Sequence, residues 1–493
     1  MLAYLKPYLI EAKTKVLEYM LFIISSIILG FIEPYLNAKF VDNIVYQSTA
    51  DNIKLSMAIV IVVNLLKITI SYFSELYTSK VKTKLSFNMV SSMVEHIQRL
   101  PLLQVKKYDP AYLTTRISSD TNIVLAFFLD NFINVIFAPI IIVVSLSILV
   151  KTSLILAIIS LICIPLYVLL YVVMKKPLST TRKEYIEKQN HFTSTLVEEL
   201  SLVEEIKTDG TFFIHSELVK NTFSKVFFSY IKALRVSVTF SSLHSIVGLF
   251  FQLINLAYGG ILVAKGLLTI GEYTIVNVYF FYILNQINFF LNLGKSYQTA
   301  KVSYERLYEI LILTQEHNGS IMLSHIEKIS LDSISFMYPG ISCKIIEKIS
   351  FSFTPGKLYG IIGDSGSGKT TLLNIILGLF QNISGGTIYY NDIPAESIDL
   401  YYSRLKSISV VKQLPHFPKA SIRVLFESIT DNWDNIHKKI CRWKLEPFYY
   451  NNQFNLDDVL DKEMRELSGG EQQKLALLFS LLKDPDVLIL DEP

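Results

Sequence analysis

Cysteine is scarce: Cys163, Cys343 and Cys441 are the only three in 493 residues, far apart and without metal-ligand spacing. This excludes a disulfide-stapled scaffold and a thiolate metal centre, and leaves three reduced packing residues. A large excess of charge of one sign is lacking too, because the formal net charge is only +3. No basic surface therefore argues for nucleic acid as a partner. Neither an internal repeat nor a low-complexity tract occurs, so the chain is not a repeat array. The N-terminus also lacks the pattern of a cleavable signal. Lys6, Glu11, Lys13 and Lys15 precede a long apolar run with no short small-residue exit, and that run is expected to remain as a membrane span.

Apolar residues are abundant. They make up 51% of the chain, and the mean hydropathy of +0.40 exceeds that of ordinary soluble proteins. Stretches long enough to cross a bilayer fall at Leu17–Leu36, Leu55–Phe73, Phe132–Val150, Leu154–Val173, Ile246–Val263 and Tyr273–Leu293. The connections after the first, third and fifth hold only the cations Lys39, Lys54, Lys151 and Lys265. The other two carry Lys80, Lys82, Lys84, Arg99, Lys106, Lys107 and Arg116, then Lys175, Lys176, Arg182, Lys183 and Lys207. By the positive-inside rule these long connections are cytosolic, as are both ends of the spanning region. Their helical periodicity and scarcity of Gly and Pro predict helical hairpins that project from the membrane.

Beyond the helical Lys295–Leu313 stretch, the segment TQEHNGS breaks the pattern, and from about His325 strands alternate with turns. A spanning domain over 1–312, a linker over 313–324 and a soluble α/β domain over 325–493 are expected. Within the last, KLYGIIG reads as a strand that runs into Gly363-Asp364-Ser365-Gly366-Ser367-Gly368-Lys369-Thr370-Thr371, followed by an apolar helix. This fits G-x-x-x-x-G-K-[ST] in its strand–loop–helix context. Glycines let backbone amides turn toward a phosphate at a helix N-terminus. Lys369 is expected to reach the β- and γ-phosphates, and Thr370 to give a hydroxyl to Mg²⁺. Farther on, DVLILDEP reads as a buried strand that delivers Asp491 to the Mg²⁺ shell and Glu492 to the attacking water.

Between these motifs, Leu467-Ser468-Gly469-Gly470-Glu471 opens an amphipathic helix. Alone, Ser468 is an ordinary N-cap. The order phosphate loop, LSGGE, LILDEP resembles the ATP-binding cassette (ABC) family, and with six spans and two cytosolic hairpins the whole chain resembles its exporter-type half-transporters. The resemblance implies a multi-pass α-helical membrane domain plus an α/β P-loop NTPase cassette. It also implies ATP and Mg²⁺, a second half-transporter, homo- or heterodimeric, and export of an unidentified small-molecule, lipid or peptide cargo across a bacterial plasma membrane. Tyr338 matches the aromatic residue that stacks on adenine. Gln413 matches the glutamine that senses Mg²⁺ and water. Leu467, Ser468, Gly469, Gly470 and Glu471 match the signature that meets a second subunit's γ-phosphate. The segments YLTTRISSDTNIV and VEELSLVEEIKTDG are similar to the family's coupling regions.

Family members continue past this point through a D-loop, another core strand and a histidine at the γ-phosphate. The sequence ends at Pro493, so the cassette is expected to be incomplete at its C-terminus. An exposed apolar sheet edge and ATP binding stronger than hydrolysis are then expected, as in a truncated or regulatory subunit that needs an intact partner. LDKEMRE lacks the glycines usual before the signature. With no peptidase module ahead of the spans, leader cleavage is not expected.

Placed at about 100° per residue, Asn277, Asn285, Asn288 and Asn292 share one arc of the sixth span. Ser241, His244, Ser245, Gly248, Gln252, Asn255 and Gly259 share a face of the fifth. These faces either glue helices together or line a pathway for an amphipathic or peptide-like cargo. Glu33, Lys67 and Asp130 are ionisable in or near spans, and the sequence gives them no role.

Overall fold

The computed structural model describes residues 1–493 except 12, 47–48, 342, 382, 414, 430–437, 439–441, 443–459 and 492–493. Helices α1 (Leu2–Glu11), α2 (Lys13–Val45) and α3 (Ala50–Gln98) open the chain. Two short helices, α4 (Leu102–Val105) and α5 (Pro110–Thr115), and a π-helical turn (Arg116–Asp120) lead into α6 (Thr121–Thr152). Helices α7 (Leu154–Ser201), α8 (Val203–Asp209), α9 (Phe212–Ala264) and α10 (Ile270–Leu311) follow. The chain divides into two compact units: one of 1–93 and 114–310, the other of 94–113 and 311–493.

Among the described residues six helices, lying almost entirely in the first unit, are long and apolar enough to cross a membrane, and each predicted span lies inside one of them. Helices of 49, 48 and 53 residues (α3, α7 and α9) are more than twice the ~20 residues a bilayer requires. Their apolar side chains stay largely exposed, with Ile68, Val172 and Val173 each above 60%, as a lipid-facing surface demands. The packed core instead gathers Tyr167 of α7, Phe251 of α9 and Val276, Phe280, Ile283, Leu284 and Ile287 of α10. Close approach explains two glycines of α9. A Cβ on Gly248 would stand 2.8 Å from the Tyr167 hydroxyl, and one on Gly259 would stand 2.6 Å from the Tyr273 ring.

Asn255 lies buried between these glycines and donates its amide to the carbonyl of Phe251 at 3.1 Å. This part of the fifth-span stripe is therefore a packing face. The sixth-span stripe differs: Asn285 and Asn292 are exposed, and Asn277 and Asn288 half-buried. In the helical extensions beyond the predicted spans, Asp120 is buried, pairs with Arg116 at 2.9 Å, and accepts from Ser303 Oγ of α10 at 2.8 Å. Asp130 lies 3.2 Å from Lys82.

The second unit contains an antiparallel sheet in the order β2-β1-β3-β4, from β1 (Ile329–Phe336), β2 (Ile346–Phe353), β3 (Gly385–Tyr390) and β4 (Ile393–Pro394). A parallel pair joins β5 (Ile408–Val411) to β6 (Val487–Leu490). Helices α11 (Lys369–Ile376), α12 (Leu400–Lys406), α13 (Ile422–Glu427) and α14 (Gly469–Leu482) complete it. The core collects Ile334, Phe336, Ile375, Tyr390, Ile398 and Ile408. A satellite cluster holds Phe426, Met464, Leu475 and Phe479. Leu102 and Leu103 of α4 pack on the main core, and the Glu316 amide donates to the Arg99 carbonyl at 2.8 Å. The tip of the first hairpin is thus built into the α/β unit.

Three expectations are corrected. The segment KLYGIIG forms no strand: it has no described partner, and Leu358 and Ile362 are 99% and 97% exposed. Thr354 tethers it instead: its hydroxyl and its amide each share a 2.9 Å hydrogen bond with the Tyr359 phenol oxygen, and together they draw that phenol's ionisation below its usual value. Strand β6 is not buried throughout. Only Ile489 is buried, because β6 pairs with β5 on one edge and has no described partner on the other. Cys343 is exposed and does no packing, whereas Cys441 and the side chain of Cys163 lie outside the described residues.

Candidate nucleotide-binding site

The phosphate loop sits between the exposed 357–363 segment and α11. Two of its glycines have left-handed backbones, Gly366 at φ +83° and Gly368 at φ +95°. A Cβ on Gly368 would also meet Ile345 at 2.9 Å, and one on Gly363 would meet Ser367 Oγ at 2.7 Å. These positions admit little but glycine, which keeps backbone groups accessible as a phosphate cradle requires. The Ser367 amide closes the turn onto the Asp364 carbonyl at 3.1 Å, and the Leu372 amide begins the helix on Gly368 at 2.8 Å.

Lys369 folds over its own loop, where Nζ donates to the carbonyls of Gly363 and Asp364 at 2.8 and 2.9 Å. Its ammonium is therefore held where an anion on the loop would meet it. Asp364, Ser365 and Thr370 are exposed, whereas Thr371 is buried. The Thr371 hydroxyl and that of Tyr338 share a hydrogen bond at 2.9 Å. Tyr338 also stands edge-on to Phe336 and Phe380, at 5.1 and 5.9 Å between centroids. The predicted adenine-side tyrosine and the end of the loop are thus fastened together, through a pairing of residues 33 apart that the sequence did not reveal.

At the signature, Ser468 caps α14. Its amide and hydroxyl both donate to Glu471 Oε2, at 2.7 and 2.8 Å. Gln472 Nε2 holds the Leu467 carbonyl at 2.9 Å. Gly469 and Gly470 have open space where a Cβ would stand, so another chain could approach this turn. Among the described residues no hydrogen bond or ion pair joins this turn to the phosphate loop. The Gln413 carbonyl accepts from Gln473 Nε2 at 3.3 Å, which ties the Gln413 segment to α14. The Asp491 amide donates to the Val411 carbonyl at 2.9 Å and extends the β5–β6 ladder by one bond. Glu492 lies outside the described residues.

Among the described residues no group of three His, Cys, Asp or Glu side chains could cage a metal ion. Of the side chains expected at Mg²⁺, Thr370 is exposed at the start of α11, and Gln413 and Asp491 lie just beyond the ends of β5 and β6.

A unit of long apolar helices on the same chain as an α/β unit with a phosphate-loop motif defines the class of protein: a membrane domain joined to a nucleotide-binding domain. Residues 16–287 match the ABC transporter transmembrane region and residues 346–493 match the ABC transporter model. The first match covers more than half of the chain, and the protein belongs to the ABC transporter family, whose nucleotide is ATP. It is similar to the lactococcin-A transport/processing ATP-binding protein of Lactococcus lactis subsp. lactis, 26% identical over 83% of this chain and 57% of that protein. The mesentericin-Y105 transport/processing ATP-binding protein of Leuconostoc mesenteroides is 25% identical over 95% of this chain and 66% of its own length. A human ABC-type oligopeptide transporter is 28% identical over 49% of this chain and 32% of its own length. The chain therefore spans 57% and 66% of the length of the two bacterial relatives and 32% of the human one.

Proposed function

We propose that this chain is one half of a dimeric exporter that uses ATP to move a peptide-like cargo outward across a bacterial plasma membrane. The observation that carries the proposal is the loop geometry around Lys369, which sets an ammonium and two left-handed glycines where a phosphate would fit, on a chain whose described residues include six helices long and apolar enough to cross a membrane. The names of the relatives, which give lactococcin A, mesentericin Y105 and oligopeptides, support a peptide cargo. The cation-rich connections place both ends of the spanning region on the cytosolic side.

In this mechanism Lys369 holds the β- and γ-phosphates, Tyr338 stacks on adenine, and Thr370 and Asp491 hold the metal. Mg²⁺ held by these two residues would supply positive charge against the negative charge that develops on the phosphates. Gln413 orients the attacking water and Glu492 accepts its proton. One chain carries one phosphate loop and one signature, so Ser468, Gly469 and Gly470 close on the γ-phosphate held by a partner half. Leu102 and Leu103, seated on the core of the α/β unit, carry its movement toward the spans.

The test is uptake of a fluorescent amphipathic peptide into inside-out proteoliposomes containing the full chain. Uptake is expected with ATP and Mg²⁺ and should disappear with EDTA. Peptide accumulation that proceeds equally without ATP would overturn the proposal.

A further inference from the structure

Pro34 lies inside α2. It has no amide hydrogen, so the Gly30 carbonyl one turn earlier loses its helical donor. Tyr282 of α10 supplies the replacement, donating its hydroxyl to Gly30 O at 2.9 Å. Tyr279, one turn back on the same helix, donates to Phe31 O at 2.8 Å. The backbone of α2 is thereby clamped to α10 at the proline.

Immediately before the proline, Glu33 forms an ion pair with Lys67 of α3. Lys67 is the sole charge in the Leu55–Phe73 stretch. The pair is not sealed in protein, since the side chains of Lys67 and Glu33 remain 33% and 22% exposed. Charges at this depth are costly against lipid and belong on an aqueous pathway. On α10 the buried side is Val276, Phe280, Ile283 and Ile287, whereas Asn285, next after Tyr282 on that helix's polar arc, is exposed. Tyr282, bonded to Gly30 three residues before Glu33 and lying three residues before Asn285, links the neighbourhood of the ion pair to this asparagine.

The two partners are not equivalent. Glu33 is short and sits on backbone fixed by the proline clamp. Lys67 reaches it along a flexible four-carbon stem that can swing its ammonium elsewhere. We propose that Glu33 is a cargo-recognition carboxylate: a cationic group of the peptide cargo displaces Lys67 from Glu33, and Lys67 serves as the resident counter-ion when the pathway is empty. This rests on the proposed export of a peptide-like cargo and adds the charge that the pathway selects.

Binding of one fluorescent amphipathic peptide, synthesised in lysine-bearing, glutamine-bearing and glutamate-bearing forms, tests it on the purified full chain without ATP. The wild type should bind the lysine form most tightly. Glu33→Gln should weaken that form about 10-fold, as expected for loss of one charged hydrogen bond, and leave the glutamine form unchanged. Lys67→Met, which removes the competitor, should tighten the lysine form. Because either single change leaves an unpaired charge, the double variant Glu33→Gln/Lys67→Met serves as the neutral control and should lose the preference. Glu33→Asp should retain it. Equal ranking of the three peptides by wild type and Glu33→Gln, equal weakening of all three, or no binding by the wild type overturns the inference. Binding with the expected ranking but no ATP-dependent uptake sinks export instead.

Discussion

Lys369 is the residue on which the nucleotide proposal turns, because its ammonium is already fixed on two loop carbonyls at 2.8 and 2.9 Å. Lys369→Met preserves length and removes the charge. ATPase activity should fall roughly 100-fold or more, the scale for losing one preorganised donor to a charged transition state, with little change in thermal unfolding, since the half-buried side chain bonds only carbonyls of its own loop. A loss of no more than twofold in a coupled ATPase assay would show that the ammonium does not meet the phosphates. The G-x-x-x-x-G-K-T spacing made Lys369 and Thr370 legible, since the motif is contiguous and its geometry local. The Tyr338–Thr371 bond was not, because it joins residues 33 positions apart through the packing of β1 against α11.

The N-terminus of α14 serves two purposes that can be separated. Ser468 caps the helix with Glu471, and in the proposed dimer the same serine meets a phosphate on the partner half. Ser468→Ala should cost about 1 kcal/mol of stability, read as a lower unfolding midpoint, and should also depress ATPase. Ser468→Asn restores a good cap, so its unfolding midpoint should recover while ATPase stays low. Recovery of both would leave the serine a capping role only. Among elements, α14, α11 and the six long helices follow from apolar periodicity and cap chemistry. The segment 357–363 does not become a strand, because a ladder needs a neighbour and alternation cannot supply one. Strand β6 keeps Leu488 and Leu490 at 37% and 41% exposure for the same reason.

Across the whole molecule, the polar residues of the spans divide into two kinds. Asn255 is buried beside the close-packed glycines of α9 and holds Phe251 O, whereas Asn285 is exposed on the open side of α10. Asn285→Leu should lower peptide-stimulated ATPase severalfold with assembly and basal ATPase retained. Asn255→Leu should lower the unfolding midpoint instead. Unchanged peptide stimulation in Asn285→Leu would assign that asparagine to helix packing.

The sequence by itself determined the long apolar helices, their cation-rich connections, the phosphate-loop motif and the order of the motifs after it. Each depends on residues a few positions apart, where hydrophobic period, turn chemistry and caps act. Tertiary structure alone decided which carbonyls Tyr279 and Tyr282 satisfy, 248 and 252 residues away. It also joined Glu33 to Lys67 and seated Leu102 and Leu103 on the core of the α/β unit. Such pairings arise because a buried or lipid-facing polar group must find a partner wherever packing brings one, at a distance along the chain that no local pattern encodes.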